Sequence, residues 1–117
     1  MGYEDEKRKH PRLPTAYITK YRLRDSGSDF AVGRTQNISQ GGAFLFTDRM
    51  FYAGDQLEMN IQFPFSKELV RVIGEIVACT ERRESSYETR LRFIEMDEDI
   101  NKKLGELIER RRGTRDR

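Results

Sequence analysis

The chain has 117 residues, of which 36% are hydrophobic and another 36% charged. That is one domain's length, with enough Phe, Tyr, Ile, Leu and Val for one small core. Twenty-two basic side chains nearly cancel 20 acidic ones, so the net charge of +2 argues against a nucleic-acid coat protein or a polybasic membrane binder. No window approaches the roughly 18 apolar residues of a membrane-spanning helix, and MGYEDEKRKHPRLPT contains no apolar stretch of a secretory signal. A single cysteine, Cys79, excludes a disulfide framework and a multi-cysteine metal site. A soluble, cytoplasmic protein without membrane insertion is expected.

Residues 1–14 form a charged arm punctuated by Pro11 and Pro14, without apolar periodicity and expected to be loose. From Thr15 the chain becomes rich in β-formers, and TAYITKYRLR puts Tyr17, Tyr21 and Leu23 on one strand face. DSGSD reads as a turn, DFAVGRTQNI as a second strand, SQGG as a turn and AFLF as a third strand. In the fourth, Leu57, Met59, Ile61 and Phe63 alternate with polar residues until Pro64. LVRVIGEIVACT reads as a long fifth strand with a bulge or bend at Gly74, RRESSYE as a turn, and TRLRFIEM as the sixth strand. After Asp97 the period changes. Ile100, Leu104, Leu107 and Ile108 share one face of an amphipathic helix over 97–112, which Asp97 or Asp99 caps and Gly113 ends, leaving 113–117 as a frayed tail. Six short strands over 15–96 and one terminal helix predict a six-stranded antiparallel barrel whose open end the helix covers.

The inventory weakens an enzymatic reading. His10 is the only histidine and is flanked by cations that disfavour its taking up a proton. A histidine-pair metal motif is therefore impossible, and Cys79 sits in an apolar run as a packed or half-packed strand residue rather than a nucleophile. Asp97 and Asp99 fit a helix start better than acid–base chemistry. No catalytic residue, metal or cofactor is expected.

Two segments do not read as plain barrel. In the arm, Arg8 and Arg12 stand four apart, with Pro11 stiffening the chain between them and disfavouring helix at His10. Arginine suits bidentate contacts to phosphate oxygens and to guanine edges. The second segment, NISQGG at 37–42, offers the Asn37 amide and the Ser39 hydroxyl. Gly41 and Gly42 there permit positive φ and leave no Cβ in a ligand's way. A cationic clamp facing a small polar turn suits a phosphorylated ligand with a base to read.

At these residues the chain resembles a known bacterial family. KRKHPRLPTAYITKY is similar to the R-x-x-x-R entry of the PilZ domain, and RTQNISQGGAFLF to its [D/N]-x-S-x-x-G strand–turn–strand. RLRFIEMDEDINKKLGELI is similar to its last strand and C-terminal helix, so the resemblance spans about residues 6–110 of one expected domain over about 6–112. It implies a PilZ-like barrel of split-barrel type with a C-terminal helix, acting as a receptor for cyclic di-GMP. By that resemblance Arg8 and Arg12 grip guanine edges and phosphates. Asn37 bonds a guanine edge, Ser39 contacts phosphate or ribose, and Gly42 lets the backbone come close. Lys7, Lys9, His10, Gln40, Gly41 and Cys79 are further candidates. Asn37 stands where many members have Asp, and Cys79 where some have Trp. Lys7 bears on whether one ligand molecule or a stacked pair binds. The expected partner is an unidentified downstream protein, and the expected state a monomer or weak homodimer.

Two other readings compete. The first is a ligand-independent interaction module of the same fold, although such relatives usually lack the arginines and the turn. The second is a nucleic-acid-binding barrel that stacks bases on Tyr17, Tyr21, Phe44 and Phe46. Strand periodicity explains those aromatics better as core.

Overall fold

Alternation of β-branched and aromatic residues with polar ones sets the architecture of the computed structural model, which describes residues 16–115 and side chains as far as Arg111. The arm with Lys7, Arg8, Lys9, His10 and Arg12 lies outside the described residues, as do Asp116 and Arg117.

The strands are β1 (Tyr17–Leu23), β2 (Ala31–Gln36), β3 (Gly42–Thr47), β4 (Gln56–Ile61), β5 (Val70–Arg83) and β6 (Ser86–Glu95). They close into an antiparallel barrel in the order β1-β2-β3-β6-β5-β4, with β4 pairing back onto β1. Closure removes the free sheet edges that six short strands otherwise leave. A single helix, α1 (Glu98–Arg115), follows.

Inside lie Tyr21, Leu45, Leu57, Met59, Ile61, Val72, Ile76 and Leu91, all buried. Four buried threonines share this interior, in the pairs Thr19 with Thr35 (3.2 Å) and Thr47 with Thr89 (3.1 Å). Pairing hydroxyls across strands satisfies groups that burial would otherwise penalise.

Four details differ from the sequence reading. The expected turn RRESSYE shrinks to Glu84 and Ser85, because β5 and β6 stay paired as far as Arg83 and Ser86 and Ser85 takes a positive φ of 60°. Helix α1 runs through Gly113 to Arg115; one glycine costs a helix only about 1 kcal/mol, too little to stop it among good helix formers. Gly41 and Gly42 do not use positive φ, whereas Asn37 does, at 53°. Phe44 and Phe46 are not core. The inward set of β3 is Ala43, Leu45 and Thr47, so both rings face outward, half-buried beneath Arg90 (5.8 Å) and Arg82 (4.3 Å). The bulge expected near Gly74 is present as a register shift between Ile73 and Gly74.

Asp97 caps α1, its Oδ1 accepting from the amides of Asp99 (2.8 Å) and Ile100 (3.2 Å). The helix buries Leu104, Leu107 and Ile108, with Ile100 packed at the margin, in the cluster that holds Ile38, Phe63 and Leu91. It thereby covers the barrel mouth where β1 and β3 begin and β2, β4 and β6 end. Each such burial contributes about 1.5–3 kcal/mol.

Candidate functional site

The turn at residues 37–42 joins β2 to β3 at this covered mouth, and Ile38, Ser39, Gln40 and the two glycines fasten it to the barrel and the helix. Ile38 is fully buried in the core, anchoring the turn to the barrel. Ser39 is only 2% exposed, and its hydroxyl is fully used. The oxygen accepts from the amides of Gly41 (3.1 Å) and Gly42 (3.2 Å) and donates to the Gly42 carbonyl (3.3 Å). One donor and two acceptor positions are all that a hydroxyl has. The Ser39 amide closes the loop by donating to the Gly42 carbonyl at 2.8 Å. Ser39 therefore sets the shape of the turn in this conformation and presents no free hydroxyl.

Gly42 is required by close approach. A Cβ there would run into the Leu91 carbonyl on β6, which pairs with β3 at this level. The Gly41 carbonyl accepts from the Phe93 amide at 2.9 Å, so β6 supports the turn from below. Gln40 points away from the turn and onto the helix, where its Nε2 donates to the Asn101 side-chain oxygen (2.8 Å) and main-chain oxygen (3.1 Å). Asn37 is the remaining residue, half-buried and held in the left-handed region that Asn tolerates better than most side chains.

On the outer barrel face beside the turn, Gly42 pairs with Arg92 and Phe44 with Arg90. Arg92 is ion-paired to Glu75 across the β5–β6 ladder. An open groove of about 410 Å³ runs between the turn and the start of α1, lined by Gln40, Phe93, Met96, Glu98, Asn101 and Lys102 among others. The described residues contain no group of three or more His, Cys, Asp and Glu side chains able to hold a metal ion. No helix among them is long and apolar enough to cross a membrane.

Of the residues singled out from sequence, the structure brings Asn37, Ser39, Gln40, Gly41 and Gly42 together in one turn. Cys79 is not part of it. Its sulfur accepts from the Phe51 amide (3.5 Å) and pairs with Thr89 (3.3 Å), toward the opposite end of the barrel. Asn101, Gly105 and Phe93 support the turn, and sequence reasoning missed all three. The one available signal was Gly105, a glycine in the middle of an otherwise well-formed helix.

A closed six-stranded barrel with a fastened polar turn at its helix-covered mouth defines a small β-barrel domain. The PilZ domain model matches residues 6–110, and the chain belongs to that family. Among solved structures, the Bacillus subtilis inhibitor of motility (MotI/DgrA) superposes with a TM-score of 0.77 at 16% identity, over 95% of this chain and 54% of that one. The PilZ domain of YcgR from Escherichia coli, solved with c-di-GMP, gives 0.63 at 15% identity over 94% and 95% of the two chains. The K. pneumonia MrkH–c-di-GMP complex gives 0.60 at 15% identity over 95% and 56%. The chain thus spans about half the length of MotI and MrkH. Comparison with curated proteins gave no match.

Proposed function

We propose that this chain is a receptor for cyclic di-GMP that signals to a partner protein and catalyses no reaction. The observation that carries this reading is the turn at 37–42, whose shape is set within the chain itself by Ser39 and by the close approach of Gly42 to Leu91. A preformed turn spares the ligand the entropy of ordering it. Membership of the PilZ family and the two c-di-GMP complexes of like fold support the choice of ligand.

In this reading Arg8 and Arg12 supply the bidentate cationic contacts to phosphates and guanine edges. The Asn37 amide reads a guanine edge, with Gly41 and Gly42 allowing close approach. Ser39 acts through the turn's shape, and Gln40 is committed to the helix. Closure of the arm over the turn is a disorder-to-order step, and the surface it creates is what the partner reads. Because the contacts are charge-assisted, affinity falls as salt rises.

Isothermal titration of the full chain with cyclic di-GMP tests this. Arg8→Ala and Arg12→Ala are each expected to weaken binding by about 30-fold or more, the cost of removing one partner of a desolvated charge pair. Absence of binding heat at high protein concentration, or unchanged heat in both variants, would overturn the proposal.

A further inference from the structure

Gln40 and Asn101 are 61 positions apart and joined by three hydrogen bonds. Gln40 Nε2 donates to both oxygens of Asn101, and Asn101 Nδ2 donates back to the Gln40 carbonyl at 3.2 Å. Asn101 Nδ2 also reaches the Met96 sulfur at 3.5 Å, which ties the same amide to the segment leading from β6 into the helix. One turn along α1, Gly105 leaves the space that the Gln40 amide occupies. A Cβ on Gly105 would lie 2.6 Å from Gln40 Nε2 and 2.9 Å from its Cδ. A mid-helix glycine is unfavourable for the helix itself, and here the approach of Gln40 accounts for it.

The geometry points to Gln40, Asn101 and Gly105 as positioning residues that lock the turn at 37–42 to helix α1. The turn's grip on a ligand and the docking of the helix are then one coupled equilibrium. The coupling needs no contact between the helix and the ligand. Gln40 is flanked by Ser39 and Gly41, so a shift of its main chain disturbs the hydroxyl that both glycine amides share. Linkage makes the effect reciprocal: a ligand that holds the turn also holds the helix, and a partner that draws the helix away loosens the turn. Helix α1 is accordingly the element through which occupancy of the turn is passed on. The ligand side of this inference rests on the cyclic di-GMP reading above.

The experiment measures cyclic di-GMP affinity and thermal melting of the full-length wild type, Asn101→Ala and Gly105→Ala. Asn101→Ala removes two of the latch's three hydrogen bonds without changing charge or any residue of the turn, and leaves the Asn101 main-chain oxygen as the remaining acceptor. Gly105→Ala displaces the Gln40 amide while improving helix propensity. Both are expected to raise Kd by about 3- to 10-fold, the equivalent of one lost hydrogen bond. The melting temperature of Gly105→Ala stays within a few degrees of wild type, which a merely structural role for the contact does not produce. A Kd within about two-fold of wild type in both variants would overturn the coupling. If the wild type itself shows no binding, the cyclic di-GMP reading fails, and amide exchange without ligand then decides the latch. Exchange at Gly41 and Gly42 about ten-fold faster in Asn101→Ala upholds it; unchanged exchange refutes it.

Discussion

The two ends of the barrel are closed by different means. At the mouth, an amphipathic helix supplies Leu104, Leu107 and Ile108 as a lid, and the polar turn is fastened to that lid by the Gln40 and Asn101 amides. At the opposite end the closure comes from a loop. Phe51 is buried edge-on against Tyr21 at 6.1 Å, while the Tyr21 hydroxyl donates to Asp48 Oδ1 (3.0 Å) and accepts from the Asp48 amide (3.2 Å). The loop end is stitched directly into the barrel strands. The mouth is closed by a separate element that shares no strand pairing with the barrel. The proposed ligand response is placed at the second kind of end, because a modest free energy can move a docked helix more readily than a paired strand.

The largest expected effect breaks the mouth alone. Leu104→Ala should cost about 2–5 kcal/mol in thermal or denaturant unfolding, since the side chain is fully buried beneath the helix. Amide exchange should quicken at Gly41 and Gly42 and stay unchanged at Phe51; equal quickening at both ends would erase the distinction. Ser39→Ala comes next, at about 1–3 kcal/mol, because two glycine amides and one carbonyl lose their shared partner.

At the loop end, Tyr21→Phe should cost about 0.5–1.5 kcal/mol. It also carries a pH signature. Burial, aided by the Asp48 carboxylate and opposed by the Asp48 amide, pushes the Tyr21 phenol from 10.0 up to about 12. A folded value above the unfolded one means stability is intact below about pH 10 and is lost as pH rises towards 12. Unfolding titrations should show that alkaline loss reduced in Tyr21→Phe, with the raised phenol of Tyr17 accounting for what persists.

The smallest effect lies on the barrel wall between the ends. Burial pushes the Glu58 carboxyl up, but hydrogen bonds from Arg22 and Arg71, both at 3.2 Å, outweigh it and hold the group below its ordinary 4.5. Its contribution is present above that ordinary value and is lost as pH falls through the lowered one. Glu58→Gln should cost less than about 1 kcal/mol at neutral pH, and the difference from wild type should vanish in acid.

Much of this arrangement was legible in the residues themselves. The alternation of Leu57, Met59, Ile61 and Phe63 specifies a strand with one buried face, and all four are fully buried. The change of period after Asp97 specifies a helix, and Leu104, Leu107 and Ile108 face the core. The motif at 37–42 marks a polar turn because Asn, Ser and Gly compete with regular pairing wherever they cluster. Local chemistry is enough for these features, since each depends on residues within a few positions of one another. The outward direction of Phe44 and Phe46 was decided by tertiary structure, through the register that turns Ala43, Leu45 and Thr47 inward. So were the extension of β5 and β6 into a two-residue turn and the placing of Cys79 against Phe51 and Thr89. The union of Gln40 with Asn101, 61 residues away, also depended on closure. No local pattern encodes which amide will meet which. That follows only once the barrel has closed and the helix has come to rest across its mouth.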